Sequence, residues 1–379
     1  MPRFEPFAGL RYAPDVALCD VTAPPYDVID GAERALLASR SEANAVRFDL
    51  PDEADGDGRY ERANAVLEAL QEQGVLVEDD VPCFYAYRMT YPGGHTTGVI
   101  GGLELGAADV LPHEHTTKKA KSDRLDLLRA TGHNLSAIWG LSLAKGLTDL
   151  VRPDDEPDAA CTDDDGVVHE LWRLDDPDVL AAVTERVQSA PVVIADGHHR
   201  YETSLAYRDE VGAGGPQDLT MALVVELTED ELDVRPIHRL LHGLAGVDLP
   251  AALGERCFDV SPVDAAAPST DGPVLVLPDG AAWLLRPRDG AFPDDTPDLD
   301  SSRLAVALEG LPPHEVEYQH GDDIVVRRVT AGEASAGVLL RPASVAQIAA
   351  TAHGGDRMPP KTTFFWPKPR TGFVFRSLR

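Results

Sequence analysis

Lysine is nearly absent. Six occur in 379 residues (Lys118, Lys119, Lys121, Lys145, Lys361 and Lys368), in a chain with 64 acidic and 34 basic side chains and a formal net charge of −30. A field of that sign repels polyanions and disfavours nucleic acid as a partner. The acids are spread along the whole chain, which points to a salt-adapted proteome and not to one acidic tail; high salt screens part of the repulsion. Cysteine is scarce too. Cys19, Cys83, Cys161 and Cys257 show no C-x-x-C spacing, which excludes a zinc knuckle and a disulfide framework as sequence signals. No stretch approaches the roughly 18 uncharged apolar residues of a membrane span, and the opening "MPRFEPFAGLRY" lacks the apolar region of a signal peptide. A reducing cytoplasm is the expected setting. With 43% hydrophobic residues, the chain has enough apolar material for two or three lobes.

What is present reads as strands outnumbering helices without regular alternation, hence an α+β fold with mixed sheets. "DVALCDVTAPPYDVI" is expected to be extended, since Pro24-Pro25 bars helix. "YERANAVLEALQEQG" has Ala63, Val66, Leu67 and Leu70 on one face and Gly74 at its end, a helix. "VPCFYAYRMTY" and "HTTGVIGGLEL" flank Pro92-Gly93-Gly94 and predict a hairpin. Ser122 is expected to cap a short helix carrying Leu125 and Leu128 and stopping at Gly132. Residues 152–166, rich in acid, read as a solvated loop. "GPVLVLPDGAAWLLRP" predicts a second hairpin, and Ser344 and Gln347 have capping-box spacing ahead of another helix. His238 and His242 lie in a strand pattern and are expected at the surface.

The chemistry concentrates in "PVVIADGHHRYETSLAYRDE", residues 191–210. An apolar strand ends in Asp196-Gly197 and a helix follows at once. Such a turn presents backbone N–H groups and the positive end of a helix dipole. Gly197 permits close approach, and His198, His199 and Arg200 add donors, so the pattern describes a phosphate pocket. Asp196 suits such a pocket if it holds Mg²⁺. Lys118, Lys119 and Lys121, half of all the lysines, fall just ahead of the expected Ser122 cap, a second site suited to an anion, with Arg124 close behind. Glu114 and Asp27 are candidate general bases. A rival reading places zinc or two metals on His113, His115, Asp196, His198 and His199, although adjacent side chains diverge and rarely serve one ion. Arg357, Lys361, Lys368 and Arg370 make the tail basic, and are expected to fold over the pocket or to pair with nearby acids.

Five segments in order, "FAGLRY", "APPYDVI", "HEHTTKKAKSDRLDLLRATGHNLSAIW", "ADGHHRYETSLAYRDE" and "RMPPKTTFFWPKPRTGFVF", resemble the prokaryotic domain of unknown function 1015 family over nearly the full length. "VIADGHHRYETSLAYRDE" further resembles the phosphate-binding box of the ParB/sulfiredoxin superfamily, in which a strand delivers Gly-x-x-Arg into a helix. Gly197 and Arg200 match that box, while Thr203 and Ser204 stand where partition proteins carry small alanines. The run from Asp196 to Arg200 is similar to the Asp-Gly-His-His-Arg of the superfamily's free-serine kinases. This resemblance spans about twenty residues and is an analogy of site, not of whole chain. It implies nucleotide phosphates as ligands and phosphoryl transfer or nucleotide hydrolysis as chemistry.

Together these readings predict a ParB/sulfiredoxin-like nucleotide-binding core over residues 1–245, with an inserted hairpin region, and a C-terminal α+β lobe with a basic tail over 246–379. The expected activity is Mg²⁺-dependent use of ATP or ADP, transferring phosphate to a small hydroxyl-bearing metabolite or hydrolysing the nucleotide. Gly197, His198, His199 and Arg200 are expected to cradle phosphate, Asp196 to hold metal or orient the acceptor, and Lys118, Lys119, Lys121 and Arg124 to offset developing charge. The alternatives are a nucleotide-sensing module without turnover and a zinc-dependent hydrolase.

Overall fold

The computed structural model describes residues 1–112, 119–354, 359 and 361–379. The chain divides into two compact units, Met1–Asp233 with Pro367–Arg379, and Val234–Trp366. The boundary expected after residue 245 thus lies earlier, and the basic tail from Pro367 onward belongs to the first unit. Pairing explains the return: Phe375–Ser377 lies in a four-stranded sheet between Gly9–Tyr12 and His133–Asn134, with Leu76–Glu78 on the outer edge. The mixture of helices and several sheets is α+β.

A nine-stranded mixed sheet dominates the first unit. Its strands are β1 (Phe4–Glu5), β2 (Phe84–Tyr91), β3 (Gly94–Glu104), β4 (Val110–Pro112), β5 (Ile138–Ser142), β6 (Ala159–Thr162), β7 (Val168–Leu174), β8 (Val192–Asp196) and β9 (Leu219–Glu226). The order is β4-β8-β5-β9-β3-β2-β7-β6, with β1 added to β3. β2 and β3 form the expected hairpin. Near the site the sheet is mixed, since β8 runs parallel to β4 and antiparallel to β5, while β9 runs parallel to β5. Every residue of β9 is buried, and Val192 to Ala195 of β8 are buried as well, as apolar runs without alternation require in central strands. Phe4, Phe84, Ile138, Val192, Ile194 and Val224 join one apolar core with Val183 and Val187 of the helix Pro177–Gln188.

Several local expectations changed. The segment before Pro24-Pro25 forms a short helix, α1 (Leu18–Val21), and a 3₁₀ turn follows at Tyr26–Val28, so the prolines separate two turns. The acid-rich loop contains β6. Helix α2 (Lys119–Thr131) begins three residues ahead of Ser122, which sits inside its first turn and does not cap it. Lys119, Ala120 and Lys121 are good helix formers and extend the helix toward its N-terminus. Gly132 ends it at φ +61°, and the helix Arg59–Glu72 is followed by Gly74 at φ +69°, both as expected.

In the second unit, six antiparallel strands run in the order Phe258–Val263, Ala282–Pro287, Val274–Val276, Ala336–Leu339, His238–His242 and Glu315–Gln319. One face packs Leu249 and Leu253 of one helix and Leu304 and Leu308 of another; Val325 and Val329 join a separate cluster with Val274 and Leu284. His238 is buried, not exposed, and its Nδ1 accepts from the Leu340 amide at 3.1 Å. Ser344 and Gln347 make the reciprocal bonds of a capping box.

Candidate functional site

The site grows from the junction between β8 and helix α3 (His198–Val211). The ladder between β8 and β5 is irregular between Ile194 and Asp196, and Asp196, at the end of the buried apolar run, stays only partly buried. Gly197 then takes φ +86° and ψ +29° as the N-cap of a 14-residue helix, a left-handed conformation that suits glycine. A Cβ here would lie 2.9 Å from Arg200 Nε. Glycine brings no capping side chain, and the first turn of α3 holds no acid.

Asp196 is gripped on both oxygens. Arg200 donates from Nη2 to Oδ2 at 2.7 Å, one helical turn on, and Lys368 donates to Oδ1 at 2.5 Å from the tail. Burial by itself raises the carboxyl, but Lys368, then Arg200, outweigh it and hold Asp196 below the ordinary carboxylate range. Arg200 also donates to the Ala137 carbonyl. It is 8% exposed, and burial is opposed by Asp196, Asp27 and Tyr26, which together hold its guanidinium in the charged form. Two cations thus share the Asp196 carboxylate, with Asp27 acting on Arg200 as well.

On the side facing α2 a cavity of about 40 Å³ is lined by Arg124, Arg200, His133, Asn134, Thr203 and Ser204, among others. Arg200 Nε and Thr203 Oγ1 are buried without a hydrogen-bond partner among the described residues. The space suits a small ion or a few waters. A nucleoside does not fit in it. Arg124 lies over the ring of Tyr26 at 3.9 Å and donates from both terminal nitrogens to Asp49, at 2.5 Å each. Burial raises the Tyr26 hydroxyl. Asp27, next to it, is exposed.

The tail is anchored by a relay that sequence reasoning missed. Asp163 Oδ2 lies 3.0 Å from His169 Nε2, and His169 Nδ1 lies 2.8 Å from the Tyr87 hydroxyl. The Arg370 amide donates to the same hydroxyl at 3.1 Å. One assignment satisfies all three bonds: His169 is neutral, donates from Nε2, and accepts from Tyr87. Burial lowers the His169 imidazole, in keeping with that state. The Arg370 guanidinium donates to Thr22 Oγ1 at 3.0 Å and to the Thr22 carbonyl at 2.9 Å. Anchoring Arg370 places Lys368, two residues earlier, against Asp196. The available signal was a basic tail in an acidic chain; its partners are too distant in sequence to read.

The structure therefore brings Asp196, Gly197, His198, His199 and Arg200 together, with Arg124 on the same cavity as Arg200. Asp27 acts on Arg200 electrostatically. Lys119 and Lys121 fall in the first turn of α2, and their side chains are not described. His113, Glu114, His115, Lys118 and Arg357 lie outside the described residues. His198 and His199 are successive helical residues, so their side chains diverge by about 100°. No group of three or more His, Cys, Asp or Glu is placed to hold a metal among the described residues. Asp196 does not fit the Mg²⁺ role expected of it, because two cations already hold both of its oxygens.

A family described as protein of unknown function (DUF1015) matches residues 4–306. The chain belongs to this family. No curated protein matches it. Among solved structures it is similar to SbnI with a C-terminal truncation from Staphylococcus aureus, at 12% identity over 73% of this chain and 86% of that one, with a TM-score of 0.42. It is also similar to a free serine kinase in complex with AMP, at 15% identity over 72% and 88%, with a TM-score of 0.38. A conserved hypothetical protein from Pyrococcus furiosus is similar at 12% identity over 69% and 88%, with a TM-score of 0.37. At such scores these likenesses carry nothing about residues or chemistry. No described helix of this DUF1015 member is long and apolar enough to cross a membrane.

Proposed function

We propose that the junction of β8 and α3 binds the phosphates of a nucleoside di- or triphosphate within a ParB/sulfiredoxin-like core. The observation that carries this reading is the pairing of a left-handed Gly197 cap with two cations, Arg200 and Lys368, around a single carboxylate. A helix N-terminus with cations beside it and no acid in its first turn favours an oxyanion. The Asp-Gly-His-His-Arg run supports the same class of ligand. Because the cavity beside Arg200 is too small for a nucleoside, only phosphate oxygens reach Arg200 Nε and Thr203 Oγ1, and base and ribose lie outside it.

In this reading the chemistry is phosphoryl transfer to a small hydroxyl-bearing metabolite, or nucleotide hydrolysis. Gly197, His198 and His199 cradle phosphate, the Lys118, Lys119 and Lys121 run offsets developing charge, and Asp27 or Glu114 accepts the proton. Asp196 serves as the counter-ion that positions Arg200 and Lys368. Mg²⁺ arrives with the nucleotide and takes no ligand from Asp196. A second reading, a nucleotide sensor without turnover, is favoured by the same double pairing of Asp196, which leaves that carboxylate unavailable as a base.

A thermal-shift series in high salt tests the reading, using ADP, ATP and inorganic phosphate with and without Mg²⁺. A rise in unfolding midpoint with ADP or ATP is expected. No rise with any of them contradicts nucleotide binding. Incubation with labelled ATP and small hydroxy acids then separates kinase from sensor, since a sensor returns the nucleotide unchanged.

A further inference from the structure

Two buried donors on one cavity have nothing to donate to. Arg200 Nε and Thr203 Oγ1 lack a hydrogen-bond partner among the described residues, and these residues are 8% and 4% exposed. Unpaired buried donors are costly, and two on the same cavity of about 40 Å³ call for a shared acceptor. The hydroxyls beside them are spent: Ser204 Oγ donates to the Arg200 carbonyl at 2.9 Å and lies 3.1 Å from Thr220 Oγ1. Asn134 accepts on Oδ1 from the Met221 amide at 3.0 Å and from Arg376 Nη1 at 3.3 Å, which leaves Nδ2 as a third donor on the lining. Arg124 and Arg200 both line the cavity, whereas their carboxylate partners, Asp49 and Asp196, do not. No acid lines it among the described residues, in a chain that carries 64.

We propose that this cavity is a chloride site, filled when no nucleotide is bound, and that chloride competes there with a phosphate oxygen of the nucleotide; the competition rests on the phosphate reading above. A free phosphate is best held by a guanidinium fork. Neither arginine has one left, because the terminal nitrogens of Arg124 are bonded to Asp49 and those of Arg200 to Asp196 and Ala137. What remains is a set of single donors, which suits a spherical ion with no shape of its own to match. Charge favours the same ion. The desolvation cost of an ion scales with the square of its charge, so a dianion costs about four times as much to bury as a monoanion of equal size. The cavity holds about three water-sized spheres, enough for one halide with a water. When a nucleotide binds, one oxygen of a phosphate lying mostly outside takes the halide's place at Arg200 Nε and Thr203 Oγ1. Nucleotide affinity therefore falls as chloride rises, beyond what general screening by salt produces.

The test compares unfolding midpoints in sodium chloride and in sodium gluconate, an anion too large for the cavity, at one ionic strength. It uses the whole protein and Thr203→Val, which keeps the shape and removes a donor, so that salt effects on the surface cancel between the two. The unsubstituted protein is expected to gain midpoint in chloride relative to gluconate, and Thr203→Val to lose most of that gain. An equal chloride response in the two proteins would overturn the proposal. The width of the chloride NMR line gives a reading without unfolding: the folded protein is expected to broaden it and ADP to narrow it again, and no broadening would overturn the site. ADP titrations in mixtures of the two salts test the competition. The apparent Kd is expected to rise in proportion to chloride at constant ionic strength, and an unchanged Kd would overturn the competition while leaving the phosphate reading intact. No ADP binding in either salt would contradict the phosphate reading, with the midpoint comparison still deciding the chloride site.

Discussion

The Lys368 ammonium sits 2.5 Å from one oxygen of Asp196, 172 residues earlier in the chain, while Arg200 holds the other oxygen at 2.7 Å. One carboxylate thus organises two cations, one a helical turn away and one from the C-terminal tail. Asp196→Asn keeps the shape and removes the charge, leaving both cations without their counter-ion. The expected cost is about 3–5 kcal/mol of stability, read from urea unfolding. If the junction accepts oxyanions, the same variant binds inorganic phosphate more tightly, because the competing carboxylate charge is gone. A loss of stability with weaker phosphate binding would mean that Asp196 serves the ligand directly.

Acid sensitivity follows from the same pair. The Asp196 carboxyl is held below its unfolded value, so its contribution is fully present above the ordinary carboxylate range and lost as pH falls through the depressed value. Lys368→Met removes the largest charge that lowers it and narrows the gap between folded and unfolded states. Acid unfolding of the variant is therefore expected to begin at higher pH than that of the unsubstituted protein. The midpoint of an acid titration followed by tryptophan fluorescence measures the difference.

The Tyr87 hydroxyl lies between His169 Nδ1 and the Arg370 amide. Tyr87→Phe fills nearly the same volume but strands both buried partners, at an expected cost of about 1–3 kcal/mol. Faster hydrogen exchange at residues 368–373 distinguishes loss of the tail anchor from general loosening of the sheet.

Gly197 occupies a backbone conformation that an L side chain adopts at a cost of about 1–2 kcal/mol, and an added Cβ would also crowd Arg200 Nε at 2.9 Å. Gly197→Ala is expected to lose at least that much stability, whereas Gly31→Ala, where nothing lies within 4 Å, is expected to be close to neutral. Equal effects at both glycines would remove the special role of the junction.

Local pattern made much of the fold legible. The strand, glycine and helix around Asp196 could be read within a residue or two, because an apolar run, a φ-permissive residue and helical spacing occur side by side. The hairpin of β2 and β3 and the capping box at Ser344 were readable for the same reason. What could not be read depends on pairs distant in sequence. Nothing near Lys368 names Asp196 as its partner, and nothing near Tyr87 names Arg370. The return of residues 367–379 to the first unit is set by Phe375–Ser377 pairing with strands more than 240 residues earlier. Ser122 misled in a different way, since a preferred capping residue is overridden when helix formers precede it.

The central claim is that the junction at Gly197 grips the phosphates of a nucleotide, and hydrogen exchange over residues 192–211 with and without saturating ADP tests it most directly. The account predicts slowed exchange at the backbone of His198 to Tyr201, with inorganic phosphate giving a smaller effect at the same amides. Protection that appears only elsewhere in the chain, or none at all where ADP is shown to bind, contradicts it.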